Sequence, residues 1–262
     1  MIGELLIVSG ACLAATAVVM TIAAVIGHRQ GRFVVVDTAW GAGFVVVAIV
    51  AGVLGDGDLA RRILLTALVA VSGSRLAWHM FRRTAATDEE DKRYADLVAG
   101  LSYPTAVRKV FGTQGLALWF VSIPLQVSAV VDTEISGPAA IVVALGVALW
   151  VTGFTFETVG DHQLAAFKAN PANHGKIMDR GLWAWTRHPN YFGDFCVWWG
   201  VWLVAASAWP GVLTVLSPIA MTYFLVIATG AKRLERYMAN RPGWDAYAAR
   251  TPMFIPRPPQ RA

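Results

Sequence analysis

The stretch Leu5–Ile26, LLIVSGACLAATAVVMTIAAVI, decides the fold. It holds no charged side chain, and as a helix rising about 1.5 Å per residue it covers roughly 33 Å. A bilayer's hydrocarbon core is about 30 Å thick, so the stretch reads as a membrane-spanning helix. Six more meet the same test: Phe33–Leu54, Ile63–Phe81, Thr113–Val131, Ala139–Phe156, Tyr191–Ala208 and Val212–Gly230. The expected fold is an all-α integral membrane protein with seven transmembrane helices. Spanning strands are excluded, because a membrane sheet must close into a barrel and no alternating pattern recurs.

Composition agrees. Of 262 residues, 56% are hydrophobic and 15% charged, against about 45–50% and about 25% in soluble domains. A chain of this length cannot hide so much apolar surface in one globule, and its mean hydropathy is +0.52. A soluble enzyme is excluded. Disorder is excluded by 11 Trp and 12 Phe. Cys12 and Cys196 both fall in apolar runs and read as small buried hydrophobes. Met1-Ile2-Gly3-Glu4 lacks the basic region that opens a secretory signal, so the first span is expected to stay in the mature protein.

The formal charge of +5 would suggest nucleic acid in a soluble protein. Here its distribution is topological. Of 22 Lys and Arg, Arg75 lies within a helix and only Arg61 and Arg62 fall on the face that receives the N-terminus. The other nineteen sit on the opposite face, which the positive-inside rule makes cytoplasmic. The expectation is therefore N-terminus out, C-terminus cytoplasmic, and no nucleic-acid partner. The cytoplasmic face also carries the three long polar segments, near residues 82–112, 157–190 and from 231 onward. No internal repeat suggests a transporter of inverted halves. The tail Pro256-Arg257-Pro258-Pro259 reads as extended and mobile.

Ionisable groups at membrane depth are functional candidates because they are costly. Asp37, Arg75 and His79 stand inside spans, the latter two on one helix face; an ion pair such as Asp37 with Arg75 would also account for them. Glu157 and Asp194 lie near cytoplasmic helix ends and call for less explanation. Gly41-Ala42-Gly43 reads as close helix packing rather than a dinucleotide fingerprint. His162, His174 and His188 lack the spacing of a metal site, so no metal is expected. Asp88-Glu89-Glu90-Asp91 reads as a solvated loop.

The segment Gly181–Asp194, GLWAWTRHPNYFGD, is different. It sets cations, ring donors, an amide and a carboxylate against the start of a spanning helix, a mixture suited to an aromatic, anionic ligand. Arg187 can fork onto phosphate or carboxylate, and Asn190 can bond both ways to a carboxamide or adenine. Aromatic-belt placement accounts for Trp183, Trp185 and Tyr191, but not for Arg187-His188-Pro189-Asn190.

At these residues the chain resembles bacterial members of the steroid 5-alpha-reductase superfamily, the branch catalogued as a domain of unknown function. The likeness runs through Val36-Asp37-Thr38-Ala39-Trp40-Gly41, Ser74-Arg75-Leu76, Glu90–Tyr94, Asp161–Leu164 with Phe167-Lys168, Gly181–Trp183, Arg187–Gly193 and Trp198–Gly200. It ends in the tail Arg241–Trp244, Tyr247, Thr251-Pro252 and Phe254–Pro256. The resemblance implies a bacterial plasma-membrane reductase that transfers hydride from NADPH to a C=C bond of a lipid or steroid-like enone. It implies substrate in an N-terminal four-helix part, residues 1–131, and cofactor on the cytoplasmic loops of a three-helix part, residues 132–262. Asp161 and Lys168, on the loop after the fifth helix, look like cofactor-binding positions. Asn190 and Asp194 resemble residues that hold the nicotinamide end, and Arg187, His188 and Tyr191 share that motif. Glu235 in the tail is assigned to cofactor binding as well.

Two positions depart from the pattern. Asp194 stands where the reductases usually carry Glu, and Met80 where the eukaryotic steroid enzymes carry a Tyr donor. Methionine has no proton to give, so His79, Asp37 or Tyr94 is expected to supply it. Arg-His-Pro-x-Tyr-x-Gly with a downstream acid, here Glu235, also resembles integral membrane methyltransferases of the isoprenylcysteine and phospholipid type, which use S-adenosylmethionine. A membrane scaffold or transporter is the non-enzymatic alternative, and the sparse outer face speaks against it.

Overall fold

The computed structural model describes residues 1–259, which form α-helices and short helical turns with no strand among them. Arg261, one of the cations counted above, lies outside the described residues. The helices are α1 Ile2–Gln30, α2 Val35–Leu54, α3 Leu59–Ala85, α4 Lys92–Val98, α5 Tyr103–Val107, α6 Thr113–Val121, α7 Ile123–Ser128 and α8 Gly137–Ala169. They continue as α9 Pro189–Ala206, α10 Leu216–Tyr223, α11 Ala231–Met238 and α12 Trp244–Arg250. Five segments are long and apolar enough to cross a membrane: Ile2–Gln30, Val35–Leu54, Leu59–Ala85, Gly137–Ala169 and Gly211–Met238.

α1 shows why lipid is the solvent. Val8, Cys12, Thr16, Met20, Ala23 and Gly27 form one buried stripe at near-fourfold spacing. The opposite face is just as apolar and open, with Leu6 and Ile7 both 69% exposed. Water would penalise such a face, and lipid does not.

Two expected spans take another form. Thr113–Val131 is broken at Ser122 between α6 and α7, because Pro124 brings no N–H to the ladder. The loosened turn is repaired from side chains: Ser122 Oγ and Gln126 Nε2 both donate to the Trp119 carbonyl, at 2.8 and 3.0 Å. Such re-satisfaction is what tolerates proline in a membrane. Tyr191–Ala208 is matched by α9, whose 18 residues include Asn190, Asp194 and three Trp. In the last segment a π-turn, Phe224–Ala228, separates α10 from α11.

The described chain divides into two compact units, one of Met1–Val143 with Val204–Ser217, the other of Ala144–Leu203 with the chain from Pro218 onward. In the first, α2 and α3 touch backbone to backbone: a Cβ at Gly41 would stand 2.7 Å from the Gly73 carbonyl oxygen, which confirms Gly41 as a packing residue. At the end of α2, Arg62 Nη1 donates to the carbonyls of Gly52 (3.0 Å) and Gly55. Arg61 is 0% exposed, with Nε 3.4 Å from Ser207 Oγ. In the second unit α8 and α9 are locked by glycines seven residues apart. A Cβ at Gly193 would lie 2.6 Å from the Gly153 carbonyl oxygen, and one at Gly200 2.6 Å from that of Gly146. Gly160 continues the series against Pro189. This antiparallel register sets Glu157 and Asp161 of α8 beside the first turns of α9.

Candidate active site

α8 has 33 residues, about 50 Å of helix and some 20 Å more than the hydrocarbon core needs. Asp161 and Lys168 therefore stand on helix rather than on the loop expected there. They are seven residues apart on one face, Asp161 buried and Lys168 exposed. From the same helix Gln163 Oε1 accepts the Leu182 N–H at 2.9 Å, and the Gly160 carbonyl accepts Trp183 Nε1 at 3.0 Å. These bonds lay the segment 181–185 along α8 and aim the chain into α9.

At that entry, Asn190 Nδ2 donates to Asp161 Oδ1 at 3.1 Å, and Asn190 Oδ1 accepts the Tyr191 N–H at 3.1 Å. A carboxamide has two N–H groups and two acceptor lone pairs, so Asn190 keeps one of each: the complement of another carboxamide. Asp194 follows one turn along α9, half-buried. His188 is buried, stacks on Tyr191 with centroids 5.5 Å apart, and places Nε2 3.3 Å from Glu235 Oε1.

Arg187 is spoken for. Its Nε and Nη2 fork onto Glu235 Oε1 and Oε2 at 2.7 and 3.1 Å, while Nη1 donates to the carbonyls of Ala248 and Thr251, both at 2.8 Å. Four of its five N–H groups are thus used within the protein, and Trp244 lies under the guanidinium at 5.7 Å. Arg187, expected to fork onto a ligand's phosphate or carboxylate, forks instead onto Glu235 of the protein itself. Around this clasp the tail is stitched down. The Arg187 N–H bonds the Pro252 carbonyl, Thr186 Oγ1 bonds that of Phe254, Tyr247 Oη that of Trp183, and the Arg257 N–H that of Trp185. Through Arg257 the tail is anchored, not the mobile extension expected. Thr186, Tyr247 and Trp244 are parts of the site whose roles no motif disclosed.

The catalytic candidates of the first unit are Asp37, Tyr94 and His79. Tyr94 Oη donates to Asp37 Oδ1 at 2.5 Å, and Arg93 Nη2 donates to Asp37 Oδ2 at 2.8 Å. The partner of Asp37 is therefore Arg93, not Arg75. Gln114 Nε2 donates to Tyr94 Oη at 3.3 Å. His79 is half-buried on α3 and outside this pair. The acidic run beside it is not a solvated loop throughout. Glu90 accepts the N–H groups of Phe33 and Val34, the anion at the start of α2, and Asp91 caps α4 while binding Arg93 and Arg83. Burial alone would raise the Asp91 carboxyl, but the hydrogen bonds and charges of Arg93, with Arg83, outweigh it and hold it below its ordinary value. Tyr94 is 7% exposed, and burial, then the Asp37 charge, push its phenol well above the ordinary range.

Fold and site together define a helical membrane protein with a polar cluster of Asp161, Asn190, Arg187, His188 and Glu235 at the entry of α9. The family model described as "Protein of unknown function (DUF1295)" matches residues 23–251. The chain belongs to that family, a steroid 5-alpha-reductase-like membrane family. No curated protein and no solved structure matches it.

Proposed function

We propose that the protein is an NADPH-dependent reductase of a C=C bond in a lipid or steroid-like enone. It would cross a bacterial plasma membrane seven times, N-terminus out and C-terminus cytoplasmic. The observation that carries this reading is Asn190, held by Asp161 with one donor and one acceptor to spare. That pair fits the carboxamide of a nicotinamide ring, so the residues present suit the dinucleotide. Bound NADPH would supply the hydride.

The chain's own work is alignment and proton supply. Asp161 fixes which way the Asn190 amide faces, and the Arg187–Glu235 clasp fixes the turn that carries it. His188 and Tyr191 line the same turn, Lys168 offers an exposed cation on the Asp161 face of α8, and Asp194 adds a carboxylate on α9. Reducing a conjugated alkene also needs a proton and a donor to the developing enolate oxygen. Asp37, bonded to Arg93, serves as acceptor, so Tyr94 carries the transferable proton of that pair, with His79 as the alternative donor.

Purified protein in detergent should be stabilised against heat by NADPH and not by S-adenosylmethionine, and Asn190→Ala should abolish the shift. Stabilisation by S-adenosylmethionine alone would convert the reading to a methyltransferase. Stabilisation by neither would leave both enzyme readings without support and favour a scaffold.

A further inference from the structure

A small cavity of about 10 Å³ lies in the first unit between α2, α3 and α7, with Gly52, Arg62, Thr66, Leu125, Ser128 and Ala129 in its lining. It is far below the roughly 300 Å³ at which small-molecule sites begin. A single water needs about 10–15 Å³, so the cavity has room for one particle of that size. The loop after α2 is laced to the same wall. The Gly57 N–H donates to the Ala129 carbonyl at 2.8 Å and the Asp58 N–H to that of Val131 at 3.0 Å. A Cβ at Gly55 would stand 2.7 Å from Ala129 Cβ, so nothing larger than glycine fits there.

The polar groups of the lining are unevenly used. Ser128 is 2% exposed, and among the described residues its Oγ finds no hydrogen-bond partner. Arg62 Nε is buried and equally unpartnered. The guanidinium is held in place from its other side, where Nη1 donates to the Gly52 and Gly55 carbonyls. Thr66 Oγ1 gives its hydrogen to the Ala48 carbonyl at 3.2 Å and has only lone pairs left to offer. The lining thus carries two unspent donors and one unspent acceptor. Buried donors without acceptors are costly. A water accepts twice and donates twice, and three partners is the usual number for a buried one. A halide would satisfy both donors but set its charge against the Thr66 lone pairs, and a cation would face the guanidinium.

We propose that this cavity is a binding site for one structural water, which accepts from Arg62 Nε and Ser128 Oγ and donates to Thr66 Oγ1. The water ties α7 to the α2–α3 hairpin. Ser128 is the last residue of α7, the short helix that follows the break at Ser122. Ser122 and Gln126 mend the start of that helix from their side chains, and the water secures its end. The site goes beyond the reductase reading and stands independently of it.

Full-length protein in deuterated-lipid vesicles would be read by water-edited solid-state NMR at the Arg62 Nε–H, assigned by its loss in Arg62→Lys. Wild type should show magnetisation transfer from water to Arg62 Nε. Ser128→Val, whose methyl groups fill the cavity, should abolish that transfer while the rest of the amide spectrum is kept. No transfer in wild type overturns the proposal. Transfer that survives Ser128→Val overturns it too, because that water then comes from the aqueous side. A structure at a resolution that shows ordered water needs no variant: one peak within hydrogen-bond distance of Arg62 Nε, Ser128 Oγ and Thr66 Oγ1 supports the site, and a cavity with none overturns it. Crystals grown in bromide separate the anion, since an anomalous bromide peak in the cavity would replace the water with a halide and overturn the assignment.

Discussion

Arg187 and Glu235 stand 48 residues apart and meet as a forked pair with both side chains mostly out of water. Lysine in place of Arg187 keeps the charge and loses the fork. Arg187→Lys and Glu235→Gln should each cost about 1–3 kcal/mol in thermal or denaturant unfolding. A double-mutant cycle should show them strongly coupled rather than additive. Additive losses would mean the two do not act as one clasp. Asp91 gives a pH signature. Its folded carboxyl titrates below the unfolded value of about 3.9, so its contribution is fully present above that pH and lost as pH falls through the lower folded value. Asp91→Asn should therefore melt below wild type at pH 7, with the difference closing under acid. A gap that persists in acid would contradict the ion-pair account. The sequence marked Arg187-His188-Pro189-Asn190 as unusual, yet could not tell a ligand contact from a clasp, since the partners come from a distant tail. For the same reason Glu90 and Asp91 read as solvent-facing: their charges were visible, the backbone N–H groups and guanidinium that absorb them were not.

Between helices the decisive residues are those with nothing to offer. Gly193 and Gly200 let α9 lie directly on α8, and a side chain at either position has backbone, not flexible atoms, to displace. Gly193→Leu should cost at least 1–3 kcal/mol and remove cofactor-induced stabilisation. Gly10→Leu on α1, where a Cβ meets nothing within 4 Å, should melt with wild type. Equal effects at the two positions would argue against the glycine contact. Most of the helix plan was readable from unbroken apolar stretches. Two elements were not. Apolarity stops near Phe156 while α8 runs on to Ala169, because polar residues in water sustain a helix as readily as apolar ones in lipid. The break at Ser122 hides in an apolar stretch, where Pro124 and the Ser122 and Gln126 side chains were the available signals.

At the scale of the molecule, the two cations on the expected outer face are turned inward, Arg61 buried and Arg62 spent on carbonyls at the end of α2. These two are taken up by the protein itself, as Arg32, Arg93 and Arg187 are on the other face, so the proposed orientation rests on the count along the chain. In intact cells a membrane-impermeant maleimide should label Asp56→Cys and spare Lys176→Cys until the membrane is opened. Cys12 and Cys196 are buried, so they should contribute little background. The reverse pattern would invert the topology.

The stitched tail sets an order of assembly. The tail partners of Thr186 and Arg187, from Glu235 to Arg257, are synthesised after the turn they secure. The ribosome can deliver the upstream helices to the bilayer before any of those fasteners exist, so a nascent chain carries Asn190 on a turn braced by α8 alone. If the proposed reading holds, dinucleotide binding is then a late, post-insertion event. A chain arrested before Glu235 would reside in the membrane with that turn only half secured, and should fail to bind the proposed dinucleotide.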